Sequence, residues 1–328
     1  MQASRVARWI VIACLPPLAW PLAADERGEV ESLLERMSEA VQTLDYQGVF
    51  VYLQNNQLES MEIVRRQGTA GARERLVSLN GSPREVVREG GILTCFLPGS
   101  EALLIDKRSS ASPFPELHSF RLDSLSQHYN FRLLGEDRVA GRKARVVAII
   151  PRDAYRYGYR IYVDADSSLP LKSDLMDEKG NPVEQTMFTS LKVGPDIPPI
   201  DLRPSTIPPA KPNLKQIWDA SDSPQRWAFS RLPAGFALNY HERYSEPDTG
   251  DEIDHFVVSD GLASLSVFVE KAIPDEGLRG GSRMGAVSAW GEQVDGHQVT
   301  VVGEVPMLTL REVLNGLRQA HAVGASGD

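Results

Sequence analysis

The sequence predicts an α+β chain: a large antiparallel half-barrel wrapped on helices, followed by a smaller α+β domain. Three observations predict it. One amphipathic helical pattern precedes about eleven short strand-like stretches, most of them separated by only a few residues. Turns that short force antiparallel meander connections and leave no room for crossover helices. A proline-dense stretch then breaks the pattern, and beyond it a second, shorter set of strands ends in a helix.

Residues 1–24 read as an export signal: Arg5 and Arg8 are basic, Trp9 to Leu18 is an apolar core, and Leu22-Ala23-Ala24 precedes a cut before Asp25. A lipoprotein reading competes, because Val11-Ile12-Ala13-Cys14 resembles a lipobox. It leaves only about five apolar residues before Cys14, short of the roughly 7–15 a signal core needs. No later run reaches the roughly 18 apolar residues of a spanning helix. Without the signal the chain carries 33 basic and 44 acidic residues, a net charge of −11. That balance argues against nucleic acid as a partner and against wholesale attraction to an anionic membrane surface. Cys95, in "ILTCF", is the one cysteine left, which rules out an internal disulfide. It reads as a buried thiol inside a strand, with a redox sensor as the alternative.

From Glu29 to Leu44, Val30, Leu33, Leu34, Met37, Val41 and Leu44 fall at helical spacing with charged residues outside, giving one face to bury. The predicted strands are 48–54, 58–66, 73–79, 84–88, 92–97 and 102–106, then 131–135, 144–150, 159–163, 171–176 and 183–193. Between the two groups, Ser109–Pro115 reads as a loop and Leu122–Gln127 as a short helix. The half-barrel domain covers 25–200. Seven prolines within 193–213 cannot continue a sheet, which places a linker at 201–215. The small domain covers 216–321, with strands near 227–229, 232–238, 255–259, 262–271, 287–293 and 298–304, and 322–328 is a tail. Thr309 and Glu312 fit a capping box opening the last helix, with Leu310, Val313, Leu314 and Leu317 inward.

Chemistry is sparse. No G-x-S-x-G elbow is present, and Asp254-His255 reads as a surface or hydrogen-bonded histidine beside an acid. The six histidines are scattered with no i, i+4 pair, so neither a metal nor a cofactor is expected. "GLRGGSRMG" (Gly277 to Gly285) lacks the context of a phosphate loop and reads as a flexible hairpin loop. Six acids between Glu242 and Asp254 read as a solvated acidic turn or a dock for a basic segment. Arg65, Arg66, Arg73, Arg75, Arg84 and Arg88 form either a polar outer face with cross-strand partners or a basic patch for carboxylates or phosphates.

Strands apolar on both faces recur at Val49-Phe50-Val51-Tyr52-Leu53, Ile92 to Leu97, Ala102 to Ile105 and Val146 to Ile150. One helix of useful length cannot fill so much concave surface, which points to a cavity for a lipid or acyl chain. Phe50, Tyr52, Phe96, Leu104, Phe131 and Ile149 are its candidate lining, and a core filled by the chain itself is the alternative.

"YQGVFVY", "ERLVSLNGSPREVVREGG", "LPAGFAL", "HFVVSDGLASLSVFVE" and "HQVTVVGEVP" resemble the MucB/RseB family of periplasmic regulators, over nearly the whole exported chain. The resemblance implies a negative regulator of an envelope-stress sigma factor pathway. Such a protein binds the periplasmic part of a transmembrane anti-sigma factor and shields it from a site-1 protease. The resemblance also implies a large domain like the carriers LolA and LolB that senses lipid or lipopolysaccharide and, in pseudomonads, control of alginate synthesis. The family has no catalytic motif to carry over, so no enzyme activity is expected. Candidate partner contacts are Arg75, Arg84 and Arg88 in the large domain and His255, Phe256, Ser266 and Phe268 in the small one. A lipid or lipoprotein carrier and an esterase compete with this reading. An exposed edge of an open half-barrel would also allow a homodimer.

Overall fold

The computed structural model describes residues 22–319 except 70, 90–91, 97–102, 106–121, 195, 197, 199–201, 203–225, 246–249 and 275. The expected export signal up to residue 21, Cys14, the loop Ser109–Pro115, nearly all of the proline linker and the tail lie outside the described residues.

The first unit is an open sheet of eleven strands around one helix. Helix α1 (Leu22–Thr43) is followed by β1 (Tyr46–Gln54), β2 (Gln57–Gly68), β3 (Gly71–Ser78), β4 (Glu85–Glu89), β5 (Ile92–Phe96) and β6 (Leu103–Ile105). After the four-residue α2 (Leu122–Leu125) come β7 (Tyr129–Val139), β8 (Arg142–Pro151), β9 (Gly158–Asp164), β10 (Pro170–Met176) and β11 (Pro182–Val193). The strand order is β6-β5-β4-β3-β2-β1-β11-β10-β9-β8-β7, so two meanders are joined where the first strand pairs antiparallel with the last. The outermost strands β6 and β7 leave the sheet unclosed. The β1–β2 hairpin turns on Asn55 and Asn56, both at positive φ (53° and 63°), the conformation a two-residue turn requires and asparagine tolerates.

The apolar stripe of α1 works as its spacing demands. Val30, Leu33, Leu34 and Met37 pack on Tyr129, Val147, Ile149, Ile161 and Val163, all buried. One turn further, Ala40 joins Tyr46, Phe50, Ile63, Leu76, Leu169 and Phe188. The C-terminal carbonyls are closed by a side chain from β2: Arg65 donates to Leu44 O at 2.6 Å and to Gln42 O. A buried cation at a helix C-terminus satisfies orphan carbonyls and complements the dipole.

The second unit has a six-stranded sheet in the order β13-β14-β15-β18-β17-β16. Its strands are β13 (Ala237–Ser245), β14 (Glu252–Ser259), β15 (Ser264–Lys271), β16 (Gly280–Met284), β17 (Val287–Val294) and β18 (His297–Gly303). Helix α3 (Met307–Gly316) closes one face, with Leu310, Val313 and Leu314 packed on Phe256, Val258, Leu265, Val267, Val299 and Val301. The expected strand 227–229 is β12 (Trp227–Phe229), and its pairing with β19 (Leu317–Gln319), a strand not expected from the pattern, ties the start of the unit to its end.

Three expectations are corrected. The acidic stretch is strand at both ends, because β13 runs to Ser245 and β14 begins at Glu252, and 246–249 between them lie outside the described residues. Asp254 at its end sits inward in a buried pair: Arg243 Nε donates to Asp254 Oδ1 at 3.0 Å, and His241 Nε2 lies 2.8 Å from the same oxygen. An ion pair on the core face hides the alternation that marks a strand. The "GLRGGSRMG" stretch is not all loop either, since Gly280–Met284 forms the edge strand β16. The capping box is absent too. Pro306 occupies the N-cap without a side-chain bond, and the Thr309 hydroxyl instead donates to Tyr155 O in the first unit, 2.5 Å away.

Candidate functional site

Residues directly opposite each other in an antiparallel sheet share a face, so register assigns every strand residue a side. On the concave side, facing α1, run Gly48, Ile63, Leu76, Val86 and Cys95 in one row, and Phe50 with Met61 in the next. Phe50 is buried edge-on against Phe188, 5.9 Å between ring centres, while Tyr52 and Met61 are partly buried beside it. Ile149 is buried under α1 with Phe131 against the same cluster. Phe96 falls on the other side: it pairs with Glu85, in the row of Glu62 and Val77, and packs on Val87. The backbone of Leu104 pairs with Thr94, and its side chain lies outside what the structure describes. Phe96 therefore does not share one lining with Phe50 and Tyr52, because an odd number of residues separates faces that composition alone cannot tell apart. Burial raises the Cys95 thiol above its ordinary pKa, which disfavours the reactive thiolate.

The same alternation divides the arginines. Arg65 and Arg88 lie on the concave side in the row of Tyr46 and Glu74, whereas Arg66, Arg73 and Arg75 lie on the convex side. Arg75 Nε meets Glu85 at 2.5 Å, Arg73 meets Glu89 at 3.6 Å and Arg84 is bonded to Glu59. Paired carboxylates neutralise much of the patch, which makes it a polar face with cross-strand partners.

In the small sheet the nominated residues also separate. Phe256 is fully buried under α3, stacked on His241 with ring centres 4.3 Å apart. His255, Ser266 and Phe268 face the opposite side and are half-buried. His255 Nε2 lies 3.0 Å from Ser266 Oγ, its ring stacks on Phe268 at 4.4 Å, and Tyr240 meets it edge-on at 6.4 Å. Burial first, and then the nearby His241, lower the pKa of His255 against the opposing pull of Glu242. The imidazole is thereby kept neutral, an aromatic surface more than a charge. Asp254, next in sequence, points to the core face and cannot orient it.

The junction of the two units was not legible in the sequence. Arg156, in the turn between β8 and β9, is fully buried; its Nη1 donates to Asp260 Oδ2 at 2.5 Å and its Nη2 to Ala234 O at 2.5 Å. The Tyr129 hydroxyl donates to the same Asp260 oxygen at 2.8 Å, and the guanidinium lies over the rings of Phe236 and Tyr129. Asp260 Oδ1 accepts from the Leu262 and Ala263 amides, so one carboxylate both shapes its own turn and holds the first unit. Around this node Leu262 packs on the α1 cluster, Tyr155 on the small core, and Ala286 on Tyr157 and Leu175. Nothing in an isolated Arg or Asp within a turn distinguishes such a node from a solvated charge.

A second group lies at the same junction. Glu184 on β11 takes hydrogen bonds from Tyr52 and, at 3.3 Å, from Gln54. It borders a cleft of about 450 Å³ lined by Leu53, Asn55, Asn56, Pro182, Arg283 and Gly285, which belong to both units. Among the described residues no group of three or more His, Cys, Asp or Glu could hold a metal.

Residues 29–206 match the MucB/RseB N-terminal domain and residues 221–318 the MucB/RseB C-terminal domain. The chain is 35% identical to the sigma factor AlgU regulatory protein MucB of Pseudomonas aeruginosa, over 91% of this chain and 94% of that protein. It is 29% identical to the sigma-E factor regulatory protein RseB of Escherichia coli, over 88% and 90%. Among solved structures it resembles MucB in complex with MucA(peri), with a TM-score of 0.70 and 33% identity, over 89% of this chain and 100% of that one. The Pseudomonas aeruginosa MucA/MucB complex gives a TM-score of 0.72 at 34% identity, over 90% and 100%. With both domain models matched in order and the likeness running through the two sheets alike, this chain belongs to the MucB/RseB family of sigma factor regulatory proteins.

Proposed function

We propose that this chain is a periplasmic negative regulator that binds the periplasmic part of a transmembrane anti-sigma factor, shields it from site-1 proteolysis, and lets go when a lipid or lipopolysaccharide occupies the large domain. The observation that carries the first part is the likeness, over the full length of that chain, to MucB bound to MucA(peri). The face of the small sheet opposite α3, where His255 stacks on Phe268 beside Ser266, supports a docking surface for the partner. It is a rigid, half-buried aromatic shelf of the kind that anchors interfaces. Arg75, Arg84 and Arg88 are weaker contacts in this reading, since Arg75 and Arg84 are occupied by Glu85 and Glu59.

For the lipid, the support is the end of the concave apolar row, where Val86 and Cys95 are only partly buried beyond Ile63 and Leu76. Partner and lipid then favour different arrangements, and the coupling between them is about 1–3 kcal/mol. The test is a protection assay with the anti-sigma segment, its protease and the full chain, with and without lipopolysaccharide. Cleavage should slow when the chain is added and recover with lipid. Cleavage at one rate in every mixture overturns the regulator, and slowing that lipid leaves untouched overturns the release. His255→Ala with Phe268→Ala should weaken protection about tenfold or more, the loss of a hot-spot pair.

A further inference from the structure

An unpaired edge strand is a template for another chain, and proteins blunt such edges with brevity, charge or a bulge. The edges of the two sheets differ in this respect. In the large sheet β6 is only three residues long, and β7 is broken by a bulge between Leu133 and Gly135. In the small sheet β13 carries a bulge between Leu238 and Tyr240. The opposite edge, β16, has none. It pairs with β17 in unbroken register from Gly280↔Gly291 to Met284↔Val287, and among the described residues no strand pairs with its outer side.

Register decides which backbone groups face outward. The hairpin turns through Gly285, at φ 61°, and Ala286, a two-residue loop whose closing pair Met284–Val287 exchanges hydrogen bonds. Alternation then turns the amides and carbonyls of Gly281 and Arg283 away from β17, toward the open edge. Residues 281–284 are all exposed, Met284 at 62%.

The charges along this edge have one sign. Elsewhere in the small unit Arg226 meets Glu252, Arg231 meets Glu312, Arg243 meets Asp254 and Lys271 meets Asp251. Arg279 just before β16, Arg283 within it and Arg311 on α3 make no ion pair among the described residues. Aromatic rings hold two of them instead. Arg311 lies over Trp290 at 5.3 Å from the ring centre, and Arg283 lies over Tyr157 at 5.8 Å. The Trp290 ring itself crosses Gly281, where a Cβ would come within 2.9 Å of it, which places Arg311 above the middle of the strand. At its far end β16 meets the cleft of about 450 Å³ that Arg283 and Gly285 line with Leu53, Pro182 and Val183 of the large unit.

We propose that the β16 edge is a docking site for an extended acidic segment of another polypeptide, added to the six-stranded sheet as a further strand with its carboxylates against Arg279, Arg283 and Arg311. Backbone pairing with Gly281 and Arg283 supplies affinity, and the guanidinium groups select for acids. The occupant is acidic because this edge is basic on an otherwise acidic chain. The strands β18 and β17 separate β16 from the His255 shelf on β14 and β15, so the site goes beyond the proposed regulator and does not rest on it.

Amide-resolved hydrogen exchange on the full chain tests this, with a synthetic peptide of alternating glutamate and threonine as the probe. One control peptide carries lysine for glutamate, and another keeps the acids but has every amide N-methylated, which prevents strand pairing. The acidic peptide should slow exchange at Gly281 and Arg283 and bind less tightly as salt is raised, and neither control should slow exchange there. Arg279→Glu with Arg311→Glu, both at exposed positions, should weaken the peptide about tenfold or more with an unchanged circular dichroism spectrum. No slowing at β16, equal binding of either control, or undiminished binding to the double variant overturns the proposal. Amides of β16 already protected without peptide also overturn it: protection lost on dilution assigns the edge to a second copy, and protection kept assigns it to the chain itself. If the double variant does not fold, Arg279→Ala alone must weaken the peptide, and an unchanged affinity overturns the site just as well. Failure of the protection assay leaves this measurement untouched.

Discussion

Asp260→Asn tests the junction most directly. The substitution preserves side-chain size and an oxygen for the Leu262 and Ala263 amides, 2.8 and 2.7 Å away, while removing the charge that faces Arg156. Both side chains of the pair are fully buried, so the change strands a guanidinium in a dry interface. Breaking one side of a buried pair costs about 3–5 kcal/mol. Arg156 keeps Asp153 at 3.0 Å and the Ala234 carbonyl, which places the expected loss at the lower end, about 3 kcal/mol. At a urea slope of about 3 kcal/mol/M the unfolding midpoint of the small domain falls by about 1 M. Fluorescence of Trp227 and Trp290, both in that domain, follows the transition. Arg156→Met should cost about as much, because it strands Asp260 instead, and the double variant should cost little more than either single one. Single variants within about 0.2 M of the parent midpoint, or losses that simply add, would refute the reasoning that these two charges hold the domains as a unit.

Three further outcomes are expected. Gly48→Ala would set a Cβ 2.5 Å from Ser190 O and 2.8 Å from the Phe188 ring, at the seam where β1 meets β11. Overpacking there should cost about 1–3 kcal/mol and lower the melting temperature by several degrees, read by circular dichroism. Arg243→Met would leave Asp254 buried opposite a methyl group and should cost about 3–5 kcal/mol in chemical denaturation. Asp164 is pushed up by burial, but bonds from Arg142 and Ser167 outweigh this and hold its carboxyl below the usual range. Its contribution is present above the ordinary aspartate pKa and is lost as pH falls through the depressed folded value. Asp164→Asn should therefore flatten the acid limb of a stability–pH curve below about pH 4, and an unchanged limb would count against it.

The secondary structure of the large unit could be read from the chain because local rules govern it. The 3.6-residue stripe of Val30, Leu33, Leu34 and Met37 is the face that α1 buries, and the eleven expected strands are the eleven strands of the sheet. The small unit was harder where polar residues serve the core. Arg243 and Asp254 looked like solvent because a charge signals exposure until its partner is known, and the partner sits on another strand. Thr309 looked like a helix cap because its hydroxyl had no visible alternative, and Tyr155 O supplied one from 154 residues away.

Sequence by itself determined the helix, the meanders and the family phrases, the first two products of short-range periodicity and turn chemistry. Tertiary structure alone decided which side of the sheet Phe96 and Arg75 occupy, since a shift of one residue reverses every side chain. It alone also brought Arg156 to Asp260, because burial turns scattered charges into partners only once two folded surfaces meet.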